Sequence, residues 1–279
     1  MKSAETNLSN SSFPYEIYDL GESAVVIRLG NEIRQDIHER VRGLAAYLEG
    51  LNIPGFIELV MAYTTITIYY DMWTVYKRTF PQLPVSQEEG GQLELQNESE
   101  LPFDTMSHYL RRAIDLYIRD SGQTKSAKQA PKVVEIPVCY GDERGPDLEE
   151  VAHYHKLAVE EIIEIHTAKI YTVYMIGFAP GFAYLGGLDE RIATPRRSIP
   201  RTQLPMGAVG IGGSQTGVYP LQTPGGWNWI GQTPIRLFRP ESSPPSLLQA
   251  GDEVRFVPIS SKEYEELKGG QRTDESGNP

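Results

Sequence analysis

Four arginines lie within eleven residues of a chain that is otherwise acidic. The chain has 279 residues and a formal net charge of -11, and the four cationic side chains are those of Arg191, Arg196, Arg197 and Arg201. A guanidinium group can hold a carboxylate or a phosphate through two parallel hydrogen bonds, so this cluster could bind a small anion. Surface pairing with neighbouring acids such as Asp189 and Glu190 is the alternative interpretation.

Glycine and proline are concentrated in the same part of the chain. Residues 177–234 hold 12 of the 26 glycines and 7 of the 20 prolines, which argues against helices there. Such residues allow tight turns, and they also let backbone N–H groups approach a ligand closely. We therefore expect a compact β-barrel with shaped loops that either bind a carbonyl oxygen or simply connect strands.

Several polar and aromatic side chains inside this region could orient a substrate. Gln215, Thr216 and Tyr219 offer amide and hydroxyl groups to a carbonyl oxygen. Trp227 could form one wall of a pocket, although a tryptophan buried in a barrel core fits the same pattern.

His166 is the histidine that we predict to take part in catalysis, with a purely structural hydrogen-bonding role as the alternative. His153 and His155 are two residues apart on a predicted helix and point in different directions, so we predict no metal site. Cys139 is the only cysteine, which excludes an intrachain disulfide and a multi-cysteine zinc site.

Nucleotide-binding and serine-hydrolase motifs are missing from the glycine-rich stretch GAVGIGGSQTG. It contains neither GxxxxGK[ST] nor GxGxxG, so no ATP site can be assigned in this chain. The segment around Ser214 is not a nucleophile elbow either, because Thr216 stands where G-x-S-x-G requires its second glycine.

The first half of the sequence predicts an α+β domain over residues 13–119. Residues 24–29, 56–63 and 65–70 are predicted strands, and apolar residues spaced three and four apart predict helices over 33–48 and 106–118. An acidic excursion over 84–100 interrupts this domain, and the polar segment 120–131 is the predicted linker.

The second half predicts a mainly-β domain over 132–260, followed by a polar tail over 261–279. Asp147 and Glu150 predict a capping box at the start of a short helix. No apolar run is long enough to span a membrane and no signal-peptide pattern is present, so we expect a cytoplasmic protein. The acidic charge argues against a general nucleic-acid or anionic-membrane surface.

Four segments in a fixed order resemble the KipI / allophanate hydrolase subunit 1 family. They are IGFAPGFAYLGGL (176–188), TPRRSIPR (194–201), LPMGAVGIGGSQTGVYP (204–220) and TPGGWNWIGQTP (223–234). The resemblance implies a ferredoxin-like first domain, a cyclophilin-like barrel as the second, and cleavage of an amide or lactam. Together with the residue chemistry it places catalysis on His166, Gln215 and Tyr219. The substrate-binding residues that we predict are Pro180, Gly181, Phe182, Arg196, Arg201, Thr216, Gly217 and Trp227.

The family also implies partners and a cofactor. Its members include the B-type component of a 5-oxoprolinase, which opens 5-oxoproline to L-glutamate with ATP and with A- and C-type partner subunits. On this interpretation the chain is inactive alone, and ATP binds somewhere in the complex. Two alternatives are a regulatory inhibitor of a sporulation histidine kinase and a component of a urea- or allophanate-related amidase.

Overall fold

A computed structural model describes residues 5–7, 13–77, 101–121 and 132–276, in two units that divide between Gln129 and Ala130. The predicted acidic excursion at 84–100 lies outside the described residues, and so do positions 122–131 of the predicted linker. Each unit has a hydrophobic core of its own.

The N-terminal unit contains a five-stranded antiparallel sheet in the order β1-β2-β3-β5-β4. The strands are β1 (Glu5–Asn7), β2 (Tyr15–Asp19), β3 (Ala24–Arg28), β4 (Phe56–Met61) and β5 (Thr65–Tyr70). The predicted strands at 24–29, 56–63 and 65–70 correspond to β3, β4 and β5. Ile66 and Ile68 of β5 are fully buried in the core and alternate with partly exposed residues, as the side-chain alternation of a strand requires.

The described residues of this unit form three α-helices, and the two long ones follow the predicted apolar spacing. They are α1 (Gln35–Glu49), α2 (Met72–Lys77) and α3 (Pro102–Ser121). Val41 and Leu44 of α1 and Leu110 of α3 are fully buried in the same core as Ile27 and Ile66 of the sheet. An α+β unit is therefore present.

The C-terminal unit is built on a closed seven-stranded barrel in the order β10-β11-β8-β7-β14-β6-β13, which confirms the predicted barrel. Pairing between β10 and β13 closes it, and β6 pairs with β14 in the parallel sense. A separate two-stranded ribbon is formed by β9 and β12. The strands are β6 (Val133–Tyr140), β7 (Ile170–Ile176), β8 (Ala183–Gly186), β9 (Arg201–Leu204), β10 (Ala208–Gly212), β11 (Gln215–Val218), β12 (Thr223–Gly225), β13 (Asn228–Gln232) and β14 (Glu253–Pro258).

Between residues 132 and 276, three α-helices accompany the barrel: α4 (Leu148–His155), α5 (Val159–Thr167) and α6 (Ser261–Ser276). The segment that the sequence presents as a polar tail thus begins with a helix. Tyr264 is its buried anchor, and the Arg144 guanidinium lies 4.4 Å from the centre of the Tyr264 ring. Within the described part of the chain, no helix is long and apolar enough to cross a membrane.

Candidate functional site

Two adjoining cavities run along the segment between β8 and the end of β9. Their volumes are about 380 Å³ and about 450 Å³, and Arg197 and Ile199 line both of them. We call this open depression, lined by residues 194–203 with Glu150, Tyr154 and Asn228, the arginine groove. It contains Arg196, Arg197 and Arg201, three of the four arginines of the sequence cluster.

A buried carboxylate lies behind the arginines of the groove. Asp147 Oδ1 accepts a hydrogen bond from Nη1 of Arg197 at 2.9 Å and another from Nη2 of Arg201. Its Oδ2 accepts a third from the backbone N–H of Trp229 at 2.8 Å. The Asp147 side chain is only 4% exposed, whereas those of Arg197 and Arg201 are 26% and 30% exposed. The two arginines therefore share one fixed anion and still face solvent.

The predicted capping box at the start of α4 is wrong. Asp147 precedes the helix, but its φ of -97° and ψ of -2° are helical, and its side chain makes no cap hydrogen bond. A capping side chain normally requires an extended backbone at that position. Glu150, the second residue of the predicted box, instead binds Nη1 of Arg197 at 2.9 Å.

Hydrogen bonds to the barrel hold the backbone of the groove in place. The Asn228 amide donates to the carbonyl oxygens of Pro195 and Ile211 at 2.9 and 3.1 Å. The backbone N–H of Arg197 donates to the carbonyl oxygen of Gly226 at 2.8 Å. The position of β9, which begins at Arg201, is fixed by its pairing with β12. These hydrogen bonds therefore fix the position of the groove backbone on the barrel.

An aromatic cluster supports one side of the groove. The Arg196 guanidinium lies 6.0 Å from the centre of the Trp227 ring, and Trp227 packs edge-on against Phe182 and Tyr219. A Cβ added at Gly212 would lie 2.2 Å from Trp227 Cδ1, so glycine there makes room for the indole. Burial raises the pKa of Tyr219 to about 12.

His166 lies elsewhere, inside the barrel, and has no exposed surface. Its Nδ1 is 2.8 Å from the hydroxyl of Tyr140, and its Nε2 is 2.8 Å from Oγ1 of Thr216. The Thr216 hydroxyl donates its single hydrogen to the carbonyl oxygen of Gly210 at 3.0 Å, so Nε2 of His166 must carry the proton of that contact. Burial lowers the pKa of His166 from 6.5 to about 3, which keeps the ring neutral. We call these three side chains the His166 network.

The predicted site residues therefore separate into different places. Arg196 and Arg201 line the groove. Behind it, Phe182, Tyr219 and Trp227 form the aromatic cluster, each at most 5% exposed. His166 and Thr216 are buried in the barrel interior and line neither cavity. A substrate therefore cannot reach them in this arrangement. Gln215 and Gly217 lie in β11, where Gln215 is half-buried and Gly217 is buried without a positive φ. Pro180 and Gly181 lie in the loop before β8, where Pro180 is exposed and Gly181 has a φ of +79°.

Asp147 belongs to the site, although the sequence did not predict it as a site residue. It precedes Arg197 by 50 residues and Arg201 by 54, and no local pattern links such distant positions. Arg197 was visible as part of the arginine cluster but was not among the predicted binding residues. The signal available was the unusual density of arginines in an acidic chain.

In the described C-terminal unit, the cysteine and the histidines other than His166 lie in separate places. Cys139 is buried, with its Sγ 3.6 Å from Oγ of Ser261 in α6. Nε2 of His155 lies 3.0 Å from Oγ1 of Thr194, and His153 is exposed. Among the described residues, no three histidine, cysteine or acidic side chains are grouped so that they could hold a metal ion.

The family model described as "Carboxyltransferase domain, subdomain C and D" matches residues 15–248. The chain belongs to this family. It is 48% identical over 254 residues to the B-type subunit of 5-oxoprolinase from Bacillus subtilis, covering 91% of this chain and 97% of the relative. It is 37% identical to the B-type 5-oxoprolinase subunit of Escherichia coli O157:H7, covering 86% of this chain and 94% of that protein. The resemblance stated from the sequence is thus confirmed.

Solved structures agree with this assignment. The protein TTHA0988 is 29% identical, with a TM-score of 0.65, over 85% of this chain and 40% of the longer TTHA0988 chain. The urea amidolyase of K. lactis has a TM-score of 0.68 over 95% of this chain and 16% of that enzyme. At 17% identity, the latter likeness shows a shared fold alone.

Proposed function

We propose that this chain is the B-type subunit of a 5-oxoprolinase, acting with A- and C-type partner subunits and ATP to open 5-oxoproline to L-glutamate. The observation that carries this proposal is the 48% identity to a B-type 5-oxoprolinase subunit over 97% of that relative's length. A likeness of that extent leaves little of the relative unmatched, so the same role in a complex is the simplest interpretation.

The arginine groove is the part of the chain that suits the substrate. 5-Oxoproline carries one carboxylate on a small ring, and pockets for small molecules commonly have volumes of a few hundred Å³. The groove contains three guanidinium groups, those of Arg196, Arg197 and Arg201. Arg197 and Arg201 pair with the two carboxylates of Asp147 and Glu150, so the three cations and two anions leave one positive charge. That charge, with the free edges of the guanidinium groups, supports binding of the substrate carboxylate.

The hydrolytic chemistry is assigned to partner subunits in this proposal. The groove offers charge and hydrogen-bond donors, and His166, which the sequence predicts to be catalytic, is neutral and enclosed in the barrel. Catalytic roles for His166, Gln215 and Tyr219 stay predictions that the geometry does not support. What this chain contributes is the orientation of the substrate.

The glycine-rich stretch of the described chain does not fit a nucleotide. Gly210, Gly212 and Gly217 lie in the paired strands β10 and β11, and Cβ atoms at all three would meet Trp227. A phosphate-binding loop instead presents backbone N–H groups at the start of a helix. We therefore place the ATP site of the complex on a partner subunit.

Reconstitution tests the proposal directly. The chain alone is expected to release no glutamate from 5-oxoproline, and addition of A- and C-type subunits with ATP is expected to give turnover. Omitting this chain from the mixture should abolish that turnover. Full activity without it, or inhibition of a histidine kinase as its one measurable effect, would contradict the proposal.

We also propose finer names for the two folds. The order β2-β3-β5-β4, with α1 and α3 packed in the core of that sheet, supports the ferredoxin-like description of the first unit. The closed barrel supports the cyclophilin-like description of the second. An experimental structure superposed on reference members of each fold would test both names.

A further inference from the structure

We infer that Asp147 is a positioning residue, which sets the directions of Arg197 and Arg201 so that their outer N–H groups converge on a small carboxylate. This inference rests on the proposed function and deepens it. It assigns a role in substrate binding to a residue that lies behind the groove surface.

Asp147 is itself fixed at both its backbone and its side chain. Its N–H donates to the carbonyl oxygen of Trp229 at 3.0 Å, and its Oδ2 accepts from the Trp229 N–H at 2.8 Å. Its carbonyl oxygen accepts from the N–H of Val151 in the first turn of α4, at 3.0 Å. The carboxylate therefore belongs to the rigid junction between α4 and β13, and it can act as a reference point for longer side chains.

The arginines need such a reference point because their side chains are long. An unrestrained arginine occupies many rotamers, and a ligand that selects one of them loses affinity. Contact with Asp147 uses one side of each guanidinium and leaves other N–H groups for the ligand.

A second role for Asp147, simple charge neutralisation, predicts the opposite result. If the carboxylate only reduced the positive charge of the groove, removing it would strengthen binding of an anion. If it positions the arginines, removing it weakens binding although the groove becomes more positive. The sign of the change in KM therefore separates the two roles.

The test uses the reconstituted complex with Asp147→Asn in this chain. Asparagine keeps the size of the side chain but carries no charge, and it turns an N–H group toward one of its partners. We expect KM for 5-oxoproline to rise about tenfold to a hundredfold, the usual effect of losing a hydrogen bond to a charged group, while kcat stays within about twofold. Asp147→Glu keeps the charge and should recover part of the loss.

Asp189→Asn is the matched control. Asp189 also accepts from an arginine side chain and from a backbone N–H, both of Arg191. Arg191 lines neither cavity of the groove, whereas Arg197 and Arg201, the partners of Asp147, do. The control should keep the wild-type KM. In the double variant Asp147→Asn/Arg201→Gln, KM should rise markedly less than the product of the two single-variant fold-changes, because Asp147 acts partly through Arg201.

The outcomes distinguish this inference from the proposed function. A wild-type complex that releases no glutamate refutes the function. An active wild-type complex whose Asp147→Asn variant has an unchanged or lower KM refutes the positioning role. Should Asp147→Asn fail to fold, Asp147→Glu decides the question, since the displaced carboxylate should still raise KM at an unchanged kcat, and a wild-type KM in that variant refutes positioning.

Discussion

The His166 network and the arginine groove both join titratable side chains from distant parts of the C-terminal unit, yet they differ in charge and in access. His166 and Thr216 of the network are fully buried, and burial keeps the histidine neutral by lowering its pKa to about 3. The groove is open, and its arginines stay charged around a buried carboxylate. A neutral polar cluster around a buried histidine can stabilise a barrel, whereas a charged cluster that faces solvent can bind an anion.

The largest effect on activity is expected from the groove. Arg201→Ala removes a guanidinium but leaves Asp147 bonded to Arg197 and Trp229, so the fold should persist. In the reconstituted complex, kcat/KM for 5-oxoproline should fall about tenfold to a hundredfold. Arg191→Ala is the control, because that side chain is 67% exposed and pairs with Asp189. Equal losses in the two variants would remove the distinction between groove and surface arginines.

The network should respond in stability and not in activity. Thr216→Val keeps the side-chain shape but leaves Nε2–H of His166 without its acceptor, at a cost of about 1–3 kcal/mol in the free energy of unfolding. Denaturant unfolding measures this cost, and kcat/KM of the folded complex should match the wild type. Loss of turnover in a stably folded Thr216→Val protein would instead place the network at the chemistry.

Stability should also depend on pH through His166. Because its pKa is about 3 in the folded chain, against an ordinary value of 6.5, the unfolded chain binds a proton that the folded chain refuses between those pH values. The contribution of neutral His166 to the free energy of unfolding is therefore complete above the ordinary pKa of 6.5. It is lost as pH falls below that value, by at most about 1.4 kcal/mol per pH unit. Tyr140 and Thr216, which face the ring, do not titrate there.

Comparison with His166→Gln isolates this contribution from that of the carboxylates. Between about pH 5 and 6, the free energy of unfolding should change less steeply in the variant than in the wild type. Parallel curves for the two proteins would show that His166 is protonated in the folded chain, contrary to the enclosed, neutral state that its burial requires.

The smallest effect is expected from the hydroxyl of Tyr219. Its ring is 4% exposed and packs against Phe182 and Trp227, so Tyr219→Phe preserves the aromatic cluster behind the groove. We expect kcat/KM to change by less than about threefold, because the hydroxyl is not expected to contact the substrate. A loss of a hundredfold or more would restore Tyr219 to the catalytic role predicted from the sequence.

The sequence predicted those elements whose signal is local. Apolar residues spaced three and four apart marked α1 and α3, and β-branched runs marked β3 and β5, because these periodicities arise from helix and strand geometry itself. α6 escaped detection because its first ten residues bury a single apolar side chain, Tyr264, which leaves no stripe to recognise.

Contacts between residues far apart in the chain could not be predicted from such local patterns. The parallel register of β6 with β14 joins Val133 to Glu253, 120 residues apart. Asp147, the anion that two arginines share, lies 50 and 54 residues before them. An aspartate before a helix suggests a cap, and a histidine before a strand suggests a base, until the tertiary structure shows which groups surround each one. Arginine density alone pointed to the groove.

The most direct measurement is protection of arginines by the substrate in the reconstituted complex. Phenylglyoxal modifies accessible guanidinium groups, and mass spectrometry locates each modified residue. We predict that 5-oxoproline slows modification of Arg196, Arg197 and Arg201, while Arg191 reacts at the same rate with and without substrate. Equal rates at the three groove arginines in the presence and absence of saturating 5-oxoproline, in a complex that turns the substrate over, would contradict the account.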